Sequence, residues 1–260
     1  MGRRNDDAYV IGTQSLGEAD VIVTLLAEHS GRVRGVAPSA RRSRRRFGGA
    51  LDPLTRVRAA WIEREGRDLH RIESLDLARS YSTMQSEPVR QAACAVLAEV
   101  AGALAREGQA DPRGFRLLGA VLDALELGLD PWVAVRYYEY WMLKLHGVLP
   151  DMASCTACGK PLAEGATRRV DAEGLVRCAA CDRAAEGRGR VLRSDDLAFL
   201  AMAARSAPPA LGGFARTALP GGALEALLRG GVESFGERRF RTYRHLAAAV
   251  GSRAEENAKP

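Results

Sequence analysis

The chain has 260 residues, 47% of them hydrophobic, with 38 Lys and Arg against 32 Asp and Glu and a formal net charge of +6. No stretch approaches the roughly twenty consecutive apolar residues of a membrane helix, and the basic start MGRRNDDAYVIG has no apolar core of the kind a secretory signal needs. A cytoplasmic protein is expected, and the positive balance favours a polyanionic partner over a membrane.

Residues 8 to 80 read as β-structure. Ala8 to Gly12 is a short strand candidate, and Asp20 to Leu26 (DVIVTLL) is β-branched and apolar, as a buried strand would be. His29-Ser30-Gly31 marks a turn, after which Arg32 to Val36 alternates polar and apolar. Leu54 to Ile62 alternates again, with Leu54, Val57 and Trp61 expected to point inward, and Leu69 to Leu75 supplies a fifth strand. Five short strands in about seventy residues suit a small Greek-key barrel. Its closure would remove exposed strand edges.

Helical spacing follows. Val89, Ala93, Val96, Leu97, Val100 and Leu104 form one stripe, with Pro88 at a first helical position and Cys94 expected as a small buried hydrophobe. Asp111-Pro112 breaks the chain before a second stripe of Phe115, Leu118, Val121, Leu122 and Leu125. Asp130 caps and Pro131 opens a third helix, with Val135, Tyr138, Met142 and Leu145 on one face. Ser194-Asp195-Asp196 reads as a further cap, and Pro208-Pro209 with Gly212-Gly213 as a loop. Residues 222 to 249 read as helical, with weak points at Gly230-Gly231 and Gly236. The polar tail from 251 to 260 is expected to be disordered.

Between the third and fourth helices stand Cys155-x-x-Cys158 and Cys178-x-x-Cys181, with nineteen residues between the pairs. That spacing suits a zinc site. Four thiolates fill a tetrahedral Zn²⁺ and leave no open position for substrate, so the metal is expected to be structural. Gly159 would let backbone N–H groups turn toward a cysteine sulfur. Two disulfides would need an oxidising compartment, of which the chain gives no sign. A thioredoxin-like motif would use a single pair at a helix start.

The charge is concentrated. Arg32, Arg34, Arg41, Arg42, Arg44, Arg45 and Arg46 fall in fifteen residues without an acidic one, the densest part lying between two strand candidates. Like charges so close gain nothing from folding, whereas a phosphate backbone would neutralise them and release counterions. Arginine also forks onto phosphate and stacks on bases. These seven are the candidate DNA contacts. Aromatics are sparse among the first eighty residues, so electrostatics should outweigh stacking and sequence preference should be small.

Catalytic patterns do not appear. His29, His70, His146 and His245 are scattered, with no acidic partner in a recognisable motif, and neither a phosphate-binding Walker loop nor a G-x-S-x-G elbow is present. His146 reads as a polar residue at a helix end. A DNA-binding protein without catalysis is the favoured class. A zinc-containing nucleic-acid-processing enzyme and a zinc-ribbon regulator of specific duplex sites are the alternatives.

Three segments carry a family likeness. Leu16-Gly17-Glu18-Ala19-Asp20, followed by VIVTLL, His29-Ser30-Gly31 and Arg32-Val33, is one; the basic loop running into Arg46-Phe47-Gly48-Gly49-Ala50-Leu51 is the second; Tyr137 to Pro150 (YYEYWMLKLHGVLP) before the cysteines is the third. Together they resemble the RecO family of bacterial recombination mediators, over nearly the whole chain to about residue 246. The resemblance implies an α+β multidomain fold. An OB-fold DNA-binding barrel would occupy 1–80 and an α-helical domain 81–250, with a zinc finger inserted at about 152–184. It also implies binding of single- and double-stranded DNA, annealing of complementary strands, and work with RecR, and in some bacteria RecF, to load RecA onto DNA coated by single-strand binding protein. Such a protein would be cytoplasmic and nucleoid-associated. The helical domain would hold the acidic C-terminal tail of single-strand binding protein, for which Arg238-Arg239-Phe240-Arg241 is a candidate.

Overall fold

The computed structural model describes residues 2–63, 66, 68–163, 166–171, 173–185, 188–214 and 222–257, with backbone alone at 44, 45, 85 and 252–257. Its contacts divide the chain into two compact units, Met1–Leu122 with Arg241–Pro260, and Asp123–Phe240.

The first unit is built on five strands: β1 (Arg3–Leu16), β2 (Asp20–Ala27), β3 (Gly31–Ala37), β4 (Arg56–Ile62) and β5 (His70–Arg79). They close into a barrel in the order β1-β2-β3-β5-β4, with β3 and β5 parallel and the other pairs antiparallel. This is the five-stranded, OB-like Greek-key arrangement. β1 runs for 14 residues, well beyond the Ala8–Gly12 centre that its apolar side chains suggest. Its N-terminal part pairs with β4 from Arg3↔Ile62 to Tyr9↔Arg56, and its C-terminal part with β2 as far as Leu16↔Asp20. Polar residues therefore extend the strand at both ends, because backbone partners are available there whatever the side chain. Period-two alternation places Val10, Val23, Leu25, Val33, Val57, Ala59 and Trp61 inside, and a register shift opposite Ala60 and Trp61 lets Ile72 and Leu75, three residues apart on β5, both face in; all are nearly inaccessible. Leu54 is also buried, but it precedes β4 in a left-handed conformation, φ 60°.

Between β3 and β4 the chain makes one helical turn, α1 (Arg44–Phe47), where a plain loop is expected from sequence. Phe47, Ala40 and Ala50 enter the barrel core and carry this segment with them. The helices α2 (Pro88–Leu104) and α8 (Thr242–Asn257), with the first part of α3 (Pro112–Glu126), belong to the same unit. Tyr9 of β1 packs on Phe115 of α3 with ring centroids 4.8 Å apart, and Arg56 covers the Phe115 ring. Glu99 of α2 accepts from both the backbone N–H and the hydroxyl of Thr242, 143 residues away, which joins the start of α8 to α2. The segment expected as a tail from 251 continues α8 to Asn257.

The second unit contains α4 (Pro131–Leu145), the cysteine segment with β6 (Arg169–Val170), β7 (Val176–Arg177), α5 (Ala179–Ala184) and β8 (Arg190–Val191), then α6 (Ser194–Ala203) and α7 (Ala223–Phe235). Asp130 caps α4 through the N–H groups of Trp132 and Val133, as its position predicts. α4 is buried almost all round, and its inaccessible Arg136 and Glu139 pair at 2.9 Å, since either charge alone there would be strongly destabilising. The cap of α6 is Arg193, one residue before the expected Ser194; Asp196 accepts from the Arg193 N–H. The single helix expected over 222–249 is two. Gly236 ends α7, Glu237 turns with φ 53°, and α8 begins at Thr242. Gly230 and Gly231 are points of close approach. A Cβ on Gly231 would lie 2.9 Å from Leu143 of α4, and one on Gly174, in the β6–β7 turn, would lie 2.7 Å from Leu227 O and Gly231 N. Small residues thus bring the cysteine segment against α7.

Phe47 is 1% exposed. Phe47→Ala is expected to cost about 3–5 kcal/mol through lost burial and the cavity left behind, read as a fall in the urea midpoint of the full chain.

Candidate nucleic-acid interface and metal centre

The basic segment is held from two sides. The tip of the β1–β2 hairpin contributes Asp20, whose carboxylate accepts from Ser39 N at 2.8 Å, and Ala19, whose carbonyl accepts from Arg41 N at 3.1 Å. Ser39 turns with φ 56° and its carbonyl accepts from the N–H groups of Arg42 and Ser43. From below, Phe47 anchors α1 in the core. The Arg42–Glu18 approach at 3.9 Å joins two exposed groups. A pair of that kind contributes at most about 1 kcal/mol, so the apolar anchor and the backbone bonds fix the loop, and the charges ride on it.

The seven candidate arginines separate into different roles. Arg32 is engaged in the scaffold, donating to Gly102 O at 3.1 Å and to Glu107 at 3.3 Å beyond the end of α2. Arg46 braces its own loop, with Nη2 on Pro38 O at 2.8 Å, Nε on Ser43 Oγ at 3.2 Å and its guanidinium over Phe47. Arg41 and Arg42 are exposed, and Arg34 is half-buried on the outward side of β3. The side chains of Arg44 and Arg45 lie outside the described residues, while their backbone forms α1. Arg71, not singled out from sequence, is exposed on β5 and stands in register with Val36 of β3. The alternation in LHRIESL was the available signal. Arg238 and Arg239 lie in the connection after α7. Arg239 donates to Glu233 at 2.8 Å, and Phe240 is buried rather than presented.

Sequence also missed an acid–imidazole pair. His29 Nδ1 is 2.9 Å from Asp6 Oδ1, although 23 residues separate them in the chain. His146 caps the end of α4 and stacks near Phe235.

The four cysteines converge. The sulfurs of Cys155, Cys158, Cys178 and Cys181 all lie within 4.8 Å of one another. A tetrahedron of metal–sulfur bonds of about 2.3 Å has edges of about 3.8 Å, so the donor set and its spacing fit one thiophilic divalent ion. Backbone geometry prepares the charge. Cys178 N donates to Cys155 Sγ at 3.3 Å, and Cys181 N to Cys178 Sγ at 3.4 Å, with Cys178 capping α5. Gly159 is left-handed, as the knuckle requires, but its N–H bonds Cys155 O; the sulfur is served chiefly by Cys178. That N–H holds the Cys155 thiol down to about 6 and the Cys181 N–H lowers Cys178, whereas hydrogen bonds with neighbouring sulfurs push Cys181 up to about 12. Four clustered thiols cannot all ionise alone, and a divalent cation resolves that conflict.

An OB-like barrel with a braced basic loop, followed by a helical region holding four clustered cysteines, defines the architectural class. The family profile described as Recombination protein O N terminal matches residues 1–81, and that described as Recombination protein O C terminal matches 85–217. The chain belongs to the RecO family. It is 36% identical over 227 residues to the DNA repair protein RecO of Anaeromyxobacter dehalogenans strain 2CP-1, covering 84% of this chain and 89% of the relative. It is 38% identical over 173 residues to that of Koribacter versatilis, covering 66% and 70%. With the protein of Geobacter sulfurreducens it shares 34% over 177 residues, covering 68% and 72%. Among the described residues no helix is long and apolar enough to cross a membrane.

Cys155→Ala is expected to abolish metal retention and to open 152–184 to hydrogen exchange while barrel amides stay protected. Metal analysis and exchange mass spectrometry read both. Binding must remove protons, above all from Cys181, so affinity for added zinc should fall as pH drops from about 8 to about 6 in competition with a chelator.

Proposed function

We propose that this chain is a DNA repair and recombination mediator of the RecF pathway, binding single- and double-stranded DNA and annealing complementary strands without covalent catalysis. With RecR, and with RecF where present, it would help load RecA onto DNA coated by single-strand binding protein. Family membership supports the mediator reading. The observation that carries DNA binding is the basic loop, fixed by Phe47 and Asp20 with Arg41 and Arg42 turned to solvent.

A mediator must exchange one set of strand contacts for another. A rigid platform of arginines suits that task, because phosphate contacts hold register without reading sequence and dissociate readily as salt rises. We assign these contacts to Arg34, Arg41, Arg42, Arg44 and Arg45, with Arg32 and Arg46 positioning the segment. The four-cysteine cluster is assigned a structural Zn²⁺. When bound, the ion cross-links the two knuckles and leaves no position for substrate. The acidic tail of single-strand binding protein is proposed to rest on the helical region, with Arg238 and Arg239 as candidate contacts. The protein would act in the cytoplasm, associated with the nucleoid and not with a membrane.

Five neutralised phosphates at about −0.7 each give an expected slope of roughly −3.5 for log K against log salt on single strands. Arg44→Ala with Arg45→Ala should reduce that slope by about 1.4 and weaken binding alike on unrelated sequences, with an unchanged melting temperature. Fluorescence anisotropy at graded salt measures this, and a slope near zero in the parent protein would reject the assignment. Acceleration of strand annealing, with and without single-strand binding protein, tests the mediator reading itself.

A further inference from the structure

A second cluster of basic groups lies at the opposite end of β2 and β3 from the arginine loop. There a cavity of about 520 Å³ is lined by Arg4, His29, Arg32, Arg34, Trp61 and His70, among others. Its wall is fastened. Gly31, in the β2–β3 turn, is left-handed, and a Cβ there would lie 2.2 Å from Gln109 O and 2.6 Å from Arg106 O. Arg32 N donates to Arg106 O at 3.0 Å, and the Arg32 guanidinium reaches Gly102 O and Glu107. The turn and the segment after α2 are thereby locked together, so the cavity does not depend on a ligand to form it.

His29 is the part of this wall whose chemistry can change. Asp6, its side chain only 2% exposed, accepts from His29 N at 3.0 Å and from Ser30 Oγ at 2.9 Å, and it faces His29 Nδ1 at 2.9 Å. A carboxylate only accepts hydrogen bonds, so Nδ1 carries the proton and Nε2 of the neutral ring is left as an acceptor. A lone pair there repels an oxyanion. Adding one proton turns Nε2 into a charged donor. The hydrogen bond to Asp6 and then its charge raise the proton affinity of His29, with Glu28 and Asp7 adding to this and lost solvation opposing it.

The surrounding charges make that proton decisive. Arg4 from β1 and Arg32 and Arg34 from β3 face Glu63 after β4, Asp68 before β5 and Glu107 after α2. Three formal positive charges thus meet three negative ones among the described lining residues. Arg4 lies 3.2 Å from Glu63 and Arg32 3.3 Å from Glu107. With these described lining charges balanced, a proton on His29 changes the face that its Nε2 presents beside Arg34 from an acceptor to a donor.

We propose that this cavity is a proton-gated site for a phosphate-type oxyanion, with Arg34 as a standing cation and protonated His29 as the donor that admits the anion. The shared chemistry is a tetrahedral oxyanion, either a free phosphate ester or a phosphodiester of a strand already on the barrel. The site shares Arg34 with the DNA contacts proposed above, while Arg41 and Arg42 are not among its lining residues.

The test uses the full chain. Histidine ring signals are followed by NMR from about pH 5.5 to about pH 8, at constant ionic strength, with and without sulfate, whose charge is fixed over that range. Sulfate is expected to move the His29 signals, to raise its titration midpoint, and to bind about tenfold or more tightly at the acid end, as one charge-assisted hydrogen bond would give. His29→Gln keeps an N–H for Asp6 but cannot take the proton, so it should lose the pH dependence. Sulfate binding that is equal at both ends of the range, or equally pH-dependent in His29→Gln, overturns the proposal; so does a His29 titration that sulfate leaves unmoved. Oligothymidylate separates the sources: if it moves His29 the anion is strand phosphate, and if sulfate alone does so it is a free ester. Arg41→Ala with Arg42→Ala should weaken oligothymidylate binding and leave sulfate at His29 unchanged, which keeps failure of the loop assignment distinct from failure of this one.

Discussion

β1 hydrogen-bonds to β4 along its first part and to β2 along its second, and this double engagement closes the barrel. Closure fixes both ends at once. At one end the β1–β2 hairpin tip presents Asp20 and Ala19 to the basic segment. At the other, Asp6 of β1 gathers the backbone of His29, its ring and the Ser30 hydroxyl into one turn. Open the β1–β4 seam and both arrangements lose the strand that holds them.

A loop of like charges repels itself, and among its described residues the one exposed ion pair, Arg42 with Glu18, is too weak to order it. The order comes from below. Phe47, Ala40 and Ala50 sit in the barrel core, so folding the core positions the arginines with no contribution from their charges. Two arginines then serve the scaffold: Arg32 ties β3 to the end of α2, and Arg46 closes the loop on itself. A count of basic residues therefore overstates the charge available to a phosphate backbone. The cysteine segment is organised differently. Its core is small, and the sulfurs are drawn together by backbone N–H groups and short strands, with Gly174 and Gly231 allowing its turn to meet α7. A segment with so few buried side chains gains from a cross-link, and the spacing of its four sulfurs is compatible with one ion.

Much of the fold was legible because its signals are local. Apolar β-branched runs and, for β3 and β4, alternation marked the five strands, Asp130 and Pro131 fixed the start of α4, and the stripe of Phe115, Leu118, Val121, Leu122 and Leu125 is buried throughout. The misses share a cause. The ends of β1 are polar and exposed, so nothing in their side chains marks a strand; α1 forms because Phe47 has a core to enter; and the break at Gly236 depends on Phe240 being buried after it. Each is a choice made by distant contacts.

The barrel, most of the helices, the paired cysteines and the concentration of positive charge follow from local sequence, since periodicity, C-x-x-C spacing and charge runs are properties of neighbouring residues. Only the tertiary structure decided which arginines face solvent and which hold the scaffold. It alone set Glu99 against Thr242, and Asp6 against His29. Those pairings join residues far apart in the chain, and a hydrogen bond between them exists only once packing has brought the two within about 3 Å.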